Sequence, residues 1–222
     1  MSTPTPTQLL VAAARRRGVK IMTRREWGSM YGPVYAARRR ERPHHQIGRG
    51  IPTDTLVQHI TVTHPSTPTL PASRSMAADM RVVERIGFDR FGSGMSYNFG
   101  WNMSNGLIGV GMPLDAKGTH TVNEKHVPGF SYDLNYVSLA IAGIGMAATP
   151  GTPDTVPTEQ ALDSLARLIA ALIDCHYLTH EFDYMPHRAF TNKACPGDLI
   201  AARMSDVRHA AQRYASQKPD AL

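Results

Sequence analysis

Between Met185 and Gly197 the chain reads Met-Pro-His-Arg-Ala-Phe-Thr-Asn-Lys-Ala-Cys-Pro-Gly, which sets His187 and Cys195 eight residues apart with Lys193 two before the cysteine. Imidazole and thiolate are both good zinc ligands. Eight residues are too many for one helical turn and enough for a loop to fold back, so the two side chains can meet. Pro196 and Gly197 would end that loop and open a last helix, because proline's missing N–H has no partner in a first helical turn. A catalytic zinc takes three protein ligands and keeps a position for water. The third ligand is expected from the apolar run Leu56–His64, whose last residue, His64, stands before a proline-rich loop and can project from a sheet edge. The expected set is His64, His187 and Cys195. From spacing alone a plainer reading stays open, since ten histidines give accidental sets and a buried cysteine is usually a small hydrophobe.

These groups need a scaffold. Residues 56–63 are short, β-branched and apolar, as a buried strand is. Two more strands are expected at Ser96–Asn102 and Leu107–Gly111, joined by Asn105-Gly106, the strongest hairpin-turn signal in the chain. A further apolar strand is expected at Tyr136–Gly143. Helices are expected at Thr7–Arg17, at Ser73–Phe91, and at Thr158–Tyr177, where Leu162, Leu165, Ala166, Ile169, Leu172 and Ile173 form one stripe. Gly197 to about Ser216 closes the chain as a helix. Residues 31–53, 112–135 and 146–157 read as loops or linkers. Strands and helices alternate loosely, so the expected fold is α/β: one domain, with a central mixed sheet flanked by helices. Residues 1–19 are read as an N-terminal helix or linker, 20–216 as the domain, and 217–222 as a tail.

The chain has 222 residues, enough for one full core, with 42% hydrophobic and 19% charged residues. No apolar run is long enough to cross a bilayer as a helix. Two cysteines do not suggest a disulfide framework. The N-terminus opens no apolar signal-peptide core, so synthesis in a cytoplasm is expected. A net charge of +6 favours an anionic partner such as nucleic acid, a membrane surface or a wall polymer. Arg15–Arg17 and the Arg38–Arg42 region are where a nucleic-acid reading would rest, but no nucleic-acid motif accompanies them. Among other residues, His59 is read as structural, His44 and His45 as a solvated basic pair, Cys175 as core, and Trp27 and Trp101 as packing anchors.

Taken together, the Thr-His after a strand, Tyr97-Asn98-Phe99, Gly118-Thr119-His120, and the run from Pro186-His187 to Asn192-Lys193-Ala194-Cys195-Pro196-Gly197 resemble the zinc N-acetylmuramoyl-L-alanine amidases. That family includes phage lysozyme-like amidases and the peptidoglycan recognition proteins. Thr23-Arg24-Arg25-Glu26-Trp27-Gly28 resembles the opening segment of the recognition-protein branch, and the whole is most similar to amidase modules of lysins from phages of mycobacteria. The resemblance covers about residues 20–205. It implies a peptidoglycan-recognition-protein/amidase-like fold and one zinc ion held by His64, His187 and Cys195. It also implies Lys193 as the oxyanion stabiliser, Tyr97 as the group assisting an activated water, His120 beside the substrate groove, and a structural Asn135. The implied activity is cleavage of the amide between N-acetylmuramic acid and L-alanine. The implied partner is bacterial peptidoglycan, with no nucleic acid, no stable membrane insertion and a monomeric state. The implied role is phage-mediated host lysis, the enzyme reaching the wall after holin-type release. The alternative of a non-catalytic binding module of the same fold is disfavoured by Cys195, which that branch typically replaces.

Overall fold

The computed structural model describes residues 3–30, 45–61, 75–92, 94–121, 133–144 and 156–217. Helix α1 (Pro6–Arg16) starts at a reciprocal cap: Thr5 Oγ1 accepts from the Gln8 N–H and Gln8 Oε1 accepts from the Thr5 N–H. It buries Leu10, Val11, Ala13 and Ala14 in the main core, so this segment packs as part of the domain. Just past its end, Arg17 is buried. It makes a two-pronged contact with the Asp174 carboxylate and also donates to the carbonyls of Tyr214 and Gln217. One guanidinium thus ties the ends of three helices together.

Among the described residues, six strands form one mixed sheet: β1 (Ile21–Met22), β2 (Thr53–Thr61), β3 (Phe99–Asn102), β4 (Ile108–Val110), β5 (Ser138–Ile144) and β6 (Leu178–Pro186). Their order is β1-β4-β3-β5-β2-β6, and only the β3–β4 hairpin is antiparallel. Side chains alternate between faces. Leu56, Phe99, Trp101, Leu139 and Ile141 point into the core covered by α1, α4 (Glu159–Asp174) and α6 (Met204–Ser216). The stripe on α4 reads in the structure as the sequence suggests, and Thr158 caps it by accepting from the Ala161 N–H at 3.2 Å.

The other face carries Val57 and His59 of β2. It is covered in two places. Helix α2 (Met76–Phe91) brings Met76, Met80 and Val83 over β3 and β4. It lies close because Gly100 and Gly109 offer no side chains: a Cβ at either would come within 2.4–2.7 Å of the Met80 sulfur. A second small cluster joins Val57 to Leu134 and Phe190.

Several expected boundaries shift. The strand expected from Tyr136 begins at Ser138, because Leu134–Val137 form a helical turn, α3, capped by Asp133, whose Oδ1 accepts from the Asn135 N–H. Strand β6 is absent from the sequence reading; as an edge strand it exposes Glu181 and Asp183 and buries only Leu178 and Phe182 fully, so it lacks an apolar run. The last helix is split into the turn α5 (Asp198–Ala201) and α6. Arg38–Arg42, His44, His64 and most of the loop from Asn123 to Asp133 lie outside the described residues. Among the described residues no helix is long and apolar enough to cross a membrane.

Candidate metal and substrate site

His187 follows directly on the last residue of β6, and the parallel register pairs Gln58 with Pro186. One step further along both strands sets His59 beside His187, with ring centroids 4.2 Å apart. Cys195 returns to the same point on the loop after β6. The Arg188 N–H donates to the Cys195 carbonyl at 2.7 Å, which closes that loop, and the Ile60 N–H donates to Cys195 Sγ at 3.2 Å. One ligand atom from each of His59, His187 and Cys195 lies within 4.8 Å of the others.

The structure therefore brings together two residues of the expected set, His187 and Cys195. The third, His64, lies outside the described residues. The imidazole found beside them is His59, which the sequence reading took as structural. The physical reason is strand parity and register: His59 shares the face of Val57 and stands opposite His187, a placement fixed by a strand more than a hundred residues later.

Two observations test this cluster as a metal site. His59 is buried and its Nε2 has no hydrogen-bond partner among the described residues, whereas buried polar atoms are nearly always satisfied. The donors, two imidazoles and a thiol, are a zinc set. The residues present fit the ion. Burial pushes the His59 imidazole well below its usual range, and nearby His187, His120 and Lys193 push the same way, so it stays neutral and able to ligate. Burial pushes the Cys195 thiol up to about 11, with the Ile60 N–H and Lys193 pulling it down.

The remaining expected residues surround this cluster. The Tyr97 ring packs on His59 with centroids 4.9 Å apart. Burial, and then the negative charge of a Cys195 thiolate, raise the phenol above its usual range, so it remains a hydrogen-bond donor at neutral pH. His120 is buried and stands nearly perpendicular to His59, with centroids 5.4 Å apart. Burial lowers it to about 3, helped by His187 and His45, while the Ser138 carbonyl and Asp133 act against the shift. Lys193 is exposed, yet its charge is felt at both His59 and Cys195. Asn135 holds the loop bearing His120: its Oδ1 accepts from the N–H groups of His120 and Thr121, at 2.7 and 3.1 Å.

His45 departs from the expected solvated pair. It is buried, accepts from the Ile47 N–H through Nδ1, and lies 3.1 Å from the Ser138 carbonyl through Nε2. No local signal in the sequence marks this, because its partner is on β5. Trp27 and Trp101 are buried anchors whose indole N–H groups donate to the carbonyls of Val110 and Ala161. A cavity of about 640 Å³ between α1 and residues 23–25 shares no residue with the histidine cluster.

The sequence profile of the N-acetylmuramoyl-L-alanine amidases matches residues 49–198. No match is found among curated proteins. Among solved structures, the chain is similar to wild-type Drosophila PGRP-LB at 22% identity and a TM-score of 0.60, over 83% of this chain and 92% of that one. It is similar to peptidoglycan recognition protein-LE, solved with tracheal cytotoxin (monomeric diaminopimelic acid-type peptidoglycan), at 20% identity and a TM-score of 0.59, over 80% and 88%. It is also similar to the endolysin N-acetylmuramoyl-L-alanine amidase LysCS from Clostridium intestinale, at 23% identity and a TM-score of 0.50, over 74% and 86%. At these identities the likeness shows the fold.

Proposed function

Because the chain belongs to the N-acetylmuramoyl-L-alanine amidase family, we propose that it is a zinc-dependent peptidoglycan hydrolase cutting the amide between N-acetylmuramic acid and L-alanine. The observation that carries this reading is the convergence of His59, His187 and Cys195, with the His59 Nε2 left without a partner among the described residues. In this reading His59 takes the place that the sequence gave to His64. When bound, zinc supplies Lewis-acid polarisation of the carbonyl and acidification of water.

The chain's own residues supply the rest. Tyr97, kept protonated, offers an O–H beside His59 to orient the attacking water or the carbonyl oxygen. Lys193 brings a fixed positive charge to the oxyanion that forms when the amide carbonyl is attacked. Its location two residues before Cys195 keeps that charge beside the cluster. The buried imidazoles of His59 and His120 stay neutral, so no proton competes with the ion for their nitrogens. The net charge of +6 suits an anionic wall. The likeness to an endolysin supports a role in host lysis; action on the wall after holin-type release belongs to the same proposal.

The test combines elemental analysis with digestion of purified peptidoglycan, with and without chelator. One zinc per chain, and chelator-sensitive release of peptides with new N-terminal alanine and no new reducing ends, is the expected result. Zinc without cleavage would make the chain a recognition module. A protein that binds no zinc would remove the site.

A further inference from the structure

His120 has an unusual pair of nitrogens. Its Nδ1 is buried with no hydrogen-bond partner among the described residues, while its Nε2 lies 3.4 Å from the Ser138 hydroxyl. A hydroxyl carries one proton. The Ser138 oxygen lies 2.6 Å from the Leu134 carbonyl oxygen, a separation at which two oxygens repel unless a proton lies between them. That proton is therefore committed to Leu134. Toward His120 the Ser138 oxygen can only accept, so the proton of the neutral imidazole sits on Nε2. The opposite tautomer would set two lone pairs against each other and bury an unpaired N–H at Nδ1.

The ring is held from two further sides. Asn135 fixes the backbone at His120 and Thr121. Gly118 leaves the space the ring occupies, since a Cβ there would come within 2.8 Å of His120 Cδ2. Asn135, in the turn α3, and Ser138, the first residue of β5, are three residues apart, so one turn of chain controls both the position and the protonation pattern of His120. The two ring nitrogens diverge, so Nδ1 is directed away from Ser138, in a ring that packs against His59.

We propose that Ser138 is a positioning residue that locks His120 as its Nε2–H tautomer, so that Nδ1 presents an acceptor-only lone pair to a ligand N–H beside the metal cluster. Resting on the amidase reading, that ligand is the N–H of the scissile muramoyl-alanine amide, the hydrogen-bond donor carried at the bond to be cut. An acceptor there orients the amide and holds its nitrogen as the bond breaks. Partners that set a histidine's tautomer act through the other ring nitrogen in this way.

The experiment is nitrogen-15 NMR of the histidine rings in the full chain, zinc-loaded and chelated, for the native protein, Ser138→Ala and Ser138→Thr, together with kcat, KM and zinc content on peptidoglycan fragments. The native His120 is expected to carry its proton on Nε2 in both metal states. Ser138→Ala is expected to mix the tautomers and to lower kcat on the order of tenfold, the worth of about one hydrogen bond, with KM and zinc content unchanged. Ser138→Thr, which keeps a single hydroxyl proton, should restore both. A proton on Nδ1 in the native protein overturns the proposal, as does a Ser138→Ala protein with unaltered tautomer and kcat. If Ser138→Ala fails to fold, the native tautomer and the threonine variant decide. If no substrate is cleaved, the amidase reading fails, while the NMR still decides the tautomer.

Discussion

Replacing His59 by leucine gives the sharpest separation between the structure and the strand-end alternative. In the metal-free protein the change removes a buried ring, but it also removes a nitrogen with no partner. An unsatisfied buried polar atom costs about 1–3 kcal/mol, so the two effects offset and the chelated variant should melt within a few degrees of the native chain. With zinc the two proteins part. A zinc concentration about a thousand times Kd stabilises a folded protein by about 4 kcal/mol. In a chain of this size each kcal/mol raises Tm by about 2–4 °C, so the native shift is about 8–16 °C. If four-ligand zinc sites bind with about 10–16 kcal/mol, one ligand is worth about 3 kcal/mol, roughly a hundredfold in Kd. The same zinc then stands at only about ten times Kd for His59→Leu, leaving about 1.4 kcal/mol and a shift of about 3–6 °C. Differential scanning fluorimetry with and without chelator measures this, and His64→Leu serves as the partner experiment. A full zinc shift in His59→Leu, or its loss in His64→Leu, would refute the assignment built on the β2–β6 register.

Other perturbations probe other parts of the argument. Lys193→Ala should keep its zinc by elemental analysis and lose about a hundredfold in kcat, the effect of about 3 kcal/mol at an oxyanion; full turnover would remove the role given to that charge. Burial holds His45 at about 4, below an ordinary histidine at about 6.5, and protonating Nδ1 would also break its bond from the Ile47 N–H. The unfolded chain therefore binds this proton more readily, so native stability is complete above about pH 6.5 and falls toward pH 4, by up to about 3 kcal/mol from this group. Urea melts of chelated native protein and His45→Gln should diverge across that window, and parallel curves would exclude His45 as the cause. Arg17→Ala leaves Asp174 and the ends of α4 and α6 without their shared donor; it should cost about 3 kcal/mol, or about 6–12 °C in Tm, measured calorimetrically, and an unchanged Tm would show that α1 docks without it.

The sequence by itself determined the parts governed by local physics. The apolar stripe from Leu162 to Leu172, the Asn105-Gly106 turn and the β-branched run from residue 56 each carry their own geometry over a few residues, and each forms where the pattern places it. The spacing of His187 and Cys195 likewise foretold that one loop would bring them together. Only the tertiary structure showed that His59 stands beside them. Periodicity marks a strand but not the point where it meets a neighbour, and His59 is aligned with His187 through pairing between β2 and β6 across more than a hundred residues. The same limit hid β6, an edge strand without an apolar run, and the burial of His45, whose contact is the carbonyl of Ser138 on another strand. Parallel pairing and buried polar contacts depend on groups distant in the chain, and no local pattern encodes the register at which they meet.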